Sequence, residues 1–480
     1  VCQQIIPGFL GQSETGGVDM RVVLCGFRGT GKTEVGRLLS RLMKLPFYDT
    51  DHIVEEMAGM NIHEIFVSRG EDVFREMERA AIAALPPGDA IISSGGGAIL
   101  NDRNVSILRR DAVMILLQAD ELTIEKRIEG TMRPRLTDMP LDNEIHELLA
   151  ARSPYYLASA DYCVDTSAKR INEVCLNIRR ILSEGTVSGQ ARREAVHFME
   201  NSGIDPLDVK EFGEWVNGES GDRLTRFFGV AGYPCTHSRS PPLFNRLFST
   251  HHLNAYYTRF QNNDLDLLMR TARKLDVRGL SVTIPFKHQI MQYLDRPDEH
   301  TTAIGAANTV IFCGNTIYGY NTDWIGIRDP LADRRGERAV VLGAGGAAAA
   351  AVYALLSLDM EVTILNRTVE KARMLAERFG AAYGPLDAFE RTSPGVVVNA
   401  TPLGMFPDTQ SPLRRDQLRP GITVFDLVYT PPDTPLIRHA RNAGCEVIRG
   451  TEMFTRQAAA QFWHFTGIRP PLQVIRSILL

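Results

Sequence analysis

A chain of 480 residues is too long for one ordinary domain, and its 44% hydrophobic content is enough for several packed cores. Its formal charge of −4 leaves no basic excess, which argues against a nucleic-acid partner. Seven scattered cysteines without a C-x-x-C pair argue against a zinc or dithiol centre and fit a reducing compartment. Residues 1–19 lack the sustained apolar run of a signal peptide and read as a tail or an upstream remnant, with Met20 directly before the first clear strand. From there strand and helix patterns alternate, predicting an α/β chain with parallel sheets. Strands are expected at residues 21–25, 90–93, 113–117, 339–342, 361–365, 396–399 and 423–426, with helices such as 34–42 and 369–379 between them. The uncharged run 339–358 is long enough to cross a bilayer, but Gly343, Gly345 and Gly346 interrupt it. It reads as strand, glycine turn and apolar helix, so no membrane span is expected.

The first glycine turn, Gly26 to Thr33, fits G-x-x-x-x-G-K-[ST] between an apolar strand and a helix. The backbone of Gly29, Thr30 and Gly31 can curl around phosphates, Lys32 sets a cation on the outer ones, and Thr33 offers a hydroxyl to Mg²⁺. Asp49 and Asp51 then close an apolar stretch, placing two carboxylates near the phosphates. Arg75 and Glu78 follow in a helical pattern, Gly95, Gly96 and Gly97 end another strand, and Arg133 and Arg152 occupy later positions. Arg75 and Glu78 can equally be a plain i,i+3 pair.

In order and spacing this set resembles the shikimate kinase family over residues 20–184. The resemblance implies a parallel-sheet P-loop fold like that of nucleoside monophosphate kinases, acting with ATP and Mg²⁺. Asp49 and Thr33 would hold the metal. Asp51, Arg75, Gly96 and Arg152 would bind shikimate, and Asp51 would help remove the proton of the attacking hydroxyl. Lys32 and the lid residue Arg133 would neutralise charge during transfer, and Arg127 would lie on the adenine side. Arg135 departs from the family, where an aliphatic residue is usual.

Residues 185–224 are rich in glycine and polar residues and read as a linker, with helical patterns at 192–201 and 207–217. A second glycine turn, Gly343, Ala344, Gly345, Gly346, Ala347 and Ala348, fits the dinucleotide pattern G-x-G-x-x-A. The strand after it ends on Asn366, Arg367 and Thr368, where a carboxylate would select NAD. An arginine there attracts the 2′-phosphate of NADP.

Around this turn lie Ser238 and Ser240, Ser281 to Lys287, Asn308, Thr322 and Asp323, the run Asn399 to Gly404, Asp426 to Tyr429, and Gly450, Met453 and Gln457. The array is similar to the shikimate dehydrogenase family over residues 225–480. It implies a split substrate lobe, 225–322 with 450–480, around a Rossmann NADP-binding lobe, 323–449. Lys287 and Asp323 would be the catalytic pair. Ser238 and Ser240 would take the substrate carboxylate, and Thr283, Asn308, Asp323 and Gln457 the ring hydroxyls or the lysine. Tyr429 would border the substrate, with Gly450 and Met453 beside the nicotinamide. Ser281 stands where asparagine is common, and Trp324 where glycine is frequent.

Together the resemblances imply a bifunctional, cytoplasmic enzyme with small-molecule substrates, NADP(H), ATP and Mg²⁺, and leave the oligomeric state open. Two other readings remain: a ligand-binding regulator without turnover, and a dehydrogenase preferring quinate and NAD.

Overall fold

Val22, Val23, Leu24 and Cys25 are wholly buried, as a strand covered on both faces must be, and they form the centre of the first of three sheets. The computed structural model describes residues 20–129, 139–184 and 225–479, with scattered positions between 194 and 214. Residues 1–19, Arg133 and Arg135 lie outside the described residues, as does most of the two helices expected at 192–201 and 207–217.

The first sheet contains β1 (Arg21–Cys25), β2 (Phe47–Asp49), β3 (Ala90–Ser93), β4 (Ala112–Gln118) and β5 (Tyr162–Asp165), all parallel in the order β2-β3-β1-β4-β5. Helices α1 (Lys32–Met43), α2 (Thr50–Ala58), α3 (Ile62–Ala83), α4 (Asp102–Leu108), α5 (Glu121–Ile128), α6 (Leu141–Ser159) and α7 (Ile171–Glu184) accompany it. Asp49 caps α2 by accepting from the Asp51 N–H, so the two expected carboxylates share one helix start. Within α3, Gly70 takes φ +82, a kink that re-aims the half carrying Arg75 and Glu78.

The second sheet departs from the all-parallel expectation. It holds β6 (Arg226–Gly232), β7 (Ala255–Gln261), β8 (Val277–Val282), β9 (Arg296–Pro297), β10 (Thr309–Cys313) and β11 (Thr316–Tyr320) in the order β7-β6-β8-β10-β11-β9. Strand β10 runs antiparallel to both neighbours, and Gly314 and Asn315 close a two-residue hairpin between it and β11, with Gly314 at φ +59. Helices α8 (Ser240–Thr250), α9 (Leu265–Lys274) and α10 (Glu299–Ile304) lie in this stretch.

The third sheet, β12 (Arg338–Leu342), β13 (Glu361–Leu365), β14 (Ala382–Gly384), β15 (Val396–Asn399), β16 (Thr423–Asp426) and β17 (Glu446–Ile448), is parallel in the order β14-β13-β12-β15-β16-β17, that of a doubly wound nucleotide-binding fold. Its helices are α11 (Asp323–Arg328), α12 (Gly346–Leu356), α13 (Val369–Phe379) and α14 (Pro435–Asn442). The chain then returns through α15 (Gly450–Thr466) and α16 (Leu472–Leu479). Phe454, Phe462 and Phe465 of α15 join the core that holds Phe228, Phe244 and Phe248 of the second sheet and its helix. Among the described residues no helix is long and apolar enough to cross a membrane.

The first and second sheets meet over a packed face. Tyr155 of α6 stands edge-on to Trp463 of α15, centroids 5.2 Å apart. Asp161 accepts from both Arg109 and Arg226 at 2.6 Å, all three nearly buried. Arg469 clasps both oxygens of Asp102 at 2.7 and 2.8 Å, and the Arg278 guanidinium lies 4.3 Å above the Tyr162 ring. Cys163 of β5 and Cys313 of β10 form a disulfide across the same face. Nothing in the sequence marks this pair, because the partners are 150 residues apart and meet only through the docking of two sheets, and it departs from the free thiols expected of a reducing compartment. Phe212, from the stretch read as a linker, is fully buried against Phe227, Tyr256 and Phe260.

Candidate active sites

The first site forms where β1, β2 and β3 end. The turn after β1 lines a cavity of about 450 Å³ together with Asp51, Gly96, Arg127, Thr166 and Lys169. Lys32 Nζ lies in the turn, donating to the Gly26 and Phe27 carbonyls at 2.8 and 2.9 Å. Thr33 Oγ1 donates to Asp49 Oδ2 at 2.7 Å, so the two expected Mg²⁺ ligands are adjacent oxygens. Among the described residues no cluster of three or more His, Cys, Asp or Glu forms a closed metal cage. Mg²⁺ takes few protein oxygens and leaves room for phosphates and water, so the Thr33–Asp49 pair has the right chemistry to hold it. Arg127 reaches the Gly29 carbonyl and both oxygens of Thr166, bringing it to the edge of the cavity expected for the base.

Beside the phosphate turn, the glycine run after β3 lies against Asp51, Glu78 and Arg75. A Cβ on Gly95 would lie 2.5 Å from Asp51 Oδ1 and 2.9 Å from Glu78 Oε1, and one on Gly97 2.2 Å from Arg75 Nη1. Arg75 bonds Glu78 at 3.1 Å and Glu71 at 2.9 Å. Burial pushes the Glu78 carboxyl up against the pull of Arg75, with Asp51 adding to the rise. The i,i+3 pair of Arg75 and Glu78 is present, and it faces Asp51. Arg152 approaches the Phe27 ring at 6.0 Å, and Tyr156, one turn on, donates to the Gly96 carbonyl. Arginines can pair with a carboxylate and acids can accept from hydroxyls, so these groups are candidates for binding a hydroxylated acid.

The second site lies between the second and third sheets. Lys287 Nζ bonds Asp323 Oδ2 at 2.5 Å, and Asn308 donates to Asp323 Oδ1 at 2.8 Å and to Thr322 at 2.9 Å. Asp323 begins α11 and is 3% exposed, so its position is fixed by backbone and side chain together. Gln457 of α15 lies 3.5 Å from the Thr322 hydroxyl. Thr283 donates its N–H to Ala231 and packs its methyl against Gly232. Ser240 opens α8, its N–H directed at Ser238 Oγ, while Arg259 donates to the Ser238 carbonyl at 2.9 Å. Two serines at a helix start beside an arginine form a place for an anion.

The dinucleotide turn adjoins this group. Gly343 takes φ +112 where the chain leaves β12, and a Cβ on Gly345 would meet nothing within 4 Å. Gly346, which starts α12, lies against Lys287 and His288. Open backbone at a helix start fits a pyrophosphate, with Ala344 and Ala347 inside the same turn. Arg367 is exposed after β13, and Asn366 braces the loop by donating to the Thr368 carbonyl at 2.9 Å. Tyr429 packs on Phe454 at 4.8 Å, Gly450 lies against the Val428 carbonyl, and Met453 is buried one turn into α15.

Several residues at these sites went unflagged in the sequence. Thr166 and Lys169 line the nucleotide cavity, and Arg28 of the phosphate turn pairs with the fully buried Glu144 of α6. Tyr257 and Gln461 join the second site through a chain of hydrogen bonds. Only Gln461 left a trace: it follows Gln457 by one helical turn on the same face.

Comparison with known proteins finds matches along both halves of the chain. Residues 28–183 match the family model "Shikimate kinase". Residues 230–310 match "Shikimate dehydrogenase substrate binding domain", 328–401 "Shikimate / quinate 5-dehydrogenase", and 450–480 "Shikimate 5'-dehydrogenase C-terminal domain". The NADP(+) shikimate dehydrogenase of Maridesulfovibrio salexigens is 38% identical over 262 residues, covering 53% of this chain and 96% of the relative. A shikimate dehydrogenase solved with NADP+ superimposes with a TM-score of 0.51 at 34% identity, over 54% of this chain and 96% of its own. The Thermus thermophilus enzyme, solved with NADP(H) and shikimate, gives 0.50 at 32% identity, over 53% of this chain and 98% of its own.

Proposed function

Since the chain belongs to the shikimate dehydrogenase family through its second half and carries a shikimate kinase domain ahead of it, we propose that it catalyses two consecutive steps of aromatic biosynthesis. The second unit reduces 3-dehydroshikimate to shikimate, and the first phosphorylates the shikimate 3-hydroxyl. One observation carries this reading: each nucleotide turn adjoins its own group of candidate reacting side chains. Lys32, Thr33, Asp49 and Asp51 gather at the first, and Lys287, Asp323 and Asn308 at the second.

NADPH supplies the hydride when bound to the Gly343–Ala347 turn and Arg367, with Gly450 and Met453 toward the nicotinamide. Lys287 gives its proton to the oxygen that becomes the new hydroxyl and reclaims it in reverse. Asp323, 2.5 Å away, holds the ammonium in place, and Asn308 holds Asp323. Ser238 and Ser240 take the carboxylate, and Thr283, Gln457 and Tyr429 border the ring. In the first unit ATP with Mg²⁺ supplies the phosphoryl group. Asp51 draws the proton from the attacking hydroxyl, while Arg75, Arg152 and the Gly96 backbone hold the substrate. Lys32 and Arg133 stabilise charge as the group moves, and Arg127 borders the base. The cytoplasm is the compartment we assign, with the Cys163–Cys313 disulfide standing against the reducing environment expected there.

The test is one reaction holding 3-dehydroshikimate, NADPH, ATP and Mg²⁺, assayed for shikimate 3-phosphate. The parent should form it. Lys32→Ala should stop at shikimate. Lys287→Ala should cut dehydrogenase kcat by roughly 10²–10⁴ yet still phosphorylate added shikimate. Shikimate binding without turnover in the parent would instead identify a regulator.

A further inference from the structure

His288 follows the proton donor Lys287 and stands where three segments meet: the turn after β8, the end of α10 and the start of α12. Its ring Nδ1 lies 2.9 Å from the Gly305 carbonyl oxygen. A carbonyl only accepts, so Nδ1 carries a proton, and this bond sets the tautomer. The carbonyl belongs to a residue that is itself held in place. Gly305 caps α10 at φ +65, its N–H bonds to the Thr301 carbonyl, and the Arg378 guanidinium packs over its Cα. Arg378 is engaged with the Thr302 and Ala303 carbonyls at 3.0 and 2.6 Å.

The other ring nitrogen, Nε2, has no hydrogen-bond partner among the described residues. It lies over the start of α12: a Cβ on Gly346 would meet Nε2 at 3.3 Å and Cδ2 at 3.7 Å. Gly346 is the first residue of that helix, and Gly345 before it has no side chain to cap it. The first N–H groups of α12 are thus left for a ligand, and the pyrophosphate of the dinucleotide is the ligand assigned to this turn. Lys287 does not compete for the anion, because Asp323 holds its ammonium at 2.5 Å. With Nδ1 already donating, a bare Nε2 would turn a lone pair toward the phosphate. The ring is exposed and can take a second proton from water, which makes both nitrogens donors and the ring a cation.

We infer that His288 is a cofactor-binding residue of the dehydrogenase: its imidazole bridges the Gly305 carbonyl and the pyrophosphate held at the start of α12. Nδ1–H ties the ring to the substrate lobe, and Nε2–H reaches the phosphate on the Rossmann lobe. The contact therefore joins the two lobes one residue from the proton donor. A hydrogen bond between a cation and a phosphate is of the stronger kind, and its exposure to water and salt moderates it. This inference rests on the assignment of the turn to NADP(H).

The two ring nitrogens can be removed one at a time. In His288→Asn an amide N–H stands near the place of Nδ1 and nothing stands at Nε2. In His288→Gln the amide reaches the place of Nε2 and gives up the Gly305 bond. Binding to the full chain is read from the fluorescence of NADPH, which reports the reduced nicotinamide and so this site rather than the kinase. Two probes then displace NADPH: 2′-phospho-ADP-ribose, which carries the pyrophosphate, and adenosine 2′-monophosphate, which lacks it. His288→Asn should raise Kd for NADPH and for 2′-phospho-ADP-ribose by about 3- to 20-fold, a charge-assisted bond reduced by exposure. Its Kd for adenosine 2′-monophosphate should stay within about twofold, and its KM for NADPH should rise with the Kd. His288→Gln should bind NADPH more tightly than His288→Asn. The ratio of the two probes' affinities is insensitive to a partial loss of fold. NADPH binding by His288→Asn equal to the parent's, equal weakening of both probes, or glutamine no better than asparagine would overturn the inference. If the parent binds no NADPH, or 2′-phospho-ADP-ribose does not displace it, the cofactor assignment itself fails.

Discussion

Arg367 is exposed at the end of β13 and makes no ion pair among the described residues. No carboxylate occupies the neighbouring positions Asn366 and Thr368. A guanidinium so placed can take a 2′-phosphate through charge-assisted hydrogen bonds of about 1.5–3 kcal/mol each, roughly 10–150-fold in binding. The parent should therefore prefer NADPH to NADH in kcat/KM. Arg367→Ala should lose most of that preference by weakening NADPH use while leaving NADH use nearly unchanged, as steady-state rates with both cofactors will show. This position was legible in sequence because strand end and charge are local properties. Tyr257 was not: it meets Ser281 across two strand pairings, and both residues look like ordinary strand positions. Lys287 and Asp323 fall between these cases, each visible in its own motif, although only the fold brings them to 2.5 Å.

At the scale of elements, the turn after β3 is a spacer of fixed thickness between α2 and α3. Gly95→Ala puts a methyl 2.5 Å from Asp51 Oδ1 and 2.9 Å from Glu78 Oε1. These are ends of side chains, which can give way at small cost in stability, but they cannot do so and keep their geometry toward a substrate. Kinase kcat/KM should fall on the order of 10²-fold, with the melting temperature nearly unchanged and dehydrogenase rates intact. A variant with full kinase activity would show that the glycine serves the turn alone. The central strands were read correctly because each is an apolar run ending at a glycine turn or a polar motif. The β10–β11 hairpin was missed although Gly314 and Asn315 are a usable signal between two alternating runs. The expectation of parallel sheets throughout overrode it. The kink at Gly70 had no signal beyond the glycine itself, which helices also tolerate without bending.

At the scale of the molecule, the two enzymes share an ionic junction. Asp161 follows α6 and receives Arg109 from its own unit and Arg226 from the other. Asp161→Ala would leave two guanidinium groups almost buried without their carboxylate, and removal of one partner from such a pair costs about 3–5 kcal/mol. Heating should then inactivate kinase and dehydrogenase together at a lower temperature than in the parent. Loss of only one activity would show that the junction serves one unit alone. Nothing in the sequence marks this face, since Asp102, Tyr155, Asp161, Trp463 and Arg469 meet their partners on the other unit only when the units dock. The docked face also changes what the fusion accomplishes. Apolar packing, an aromatic contact and paired charges hold the two units against each other beside the peptide link. What the single chain adds is stoichiometry: every dehydrogenase is made with one kinase, and neither can be diluted away from the other.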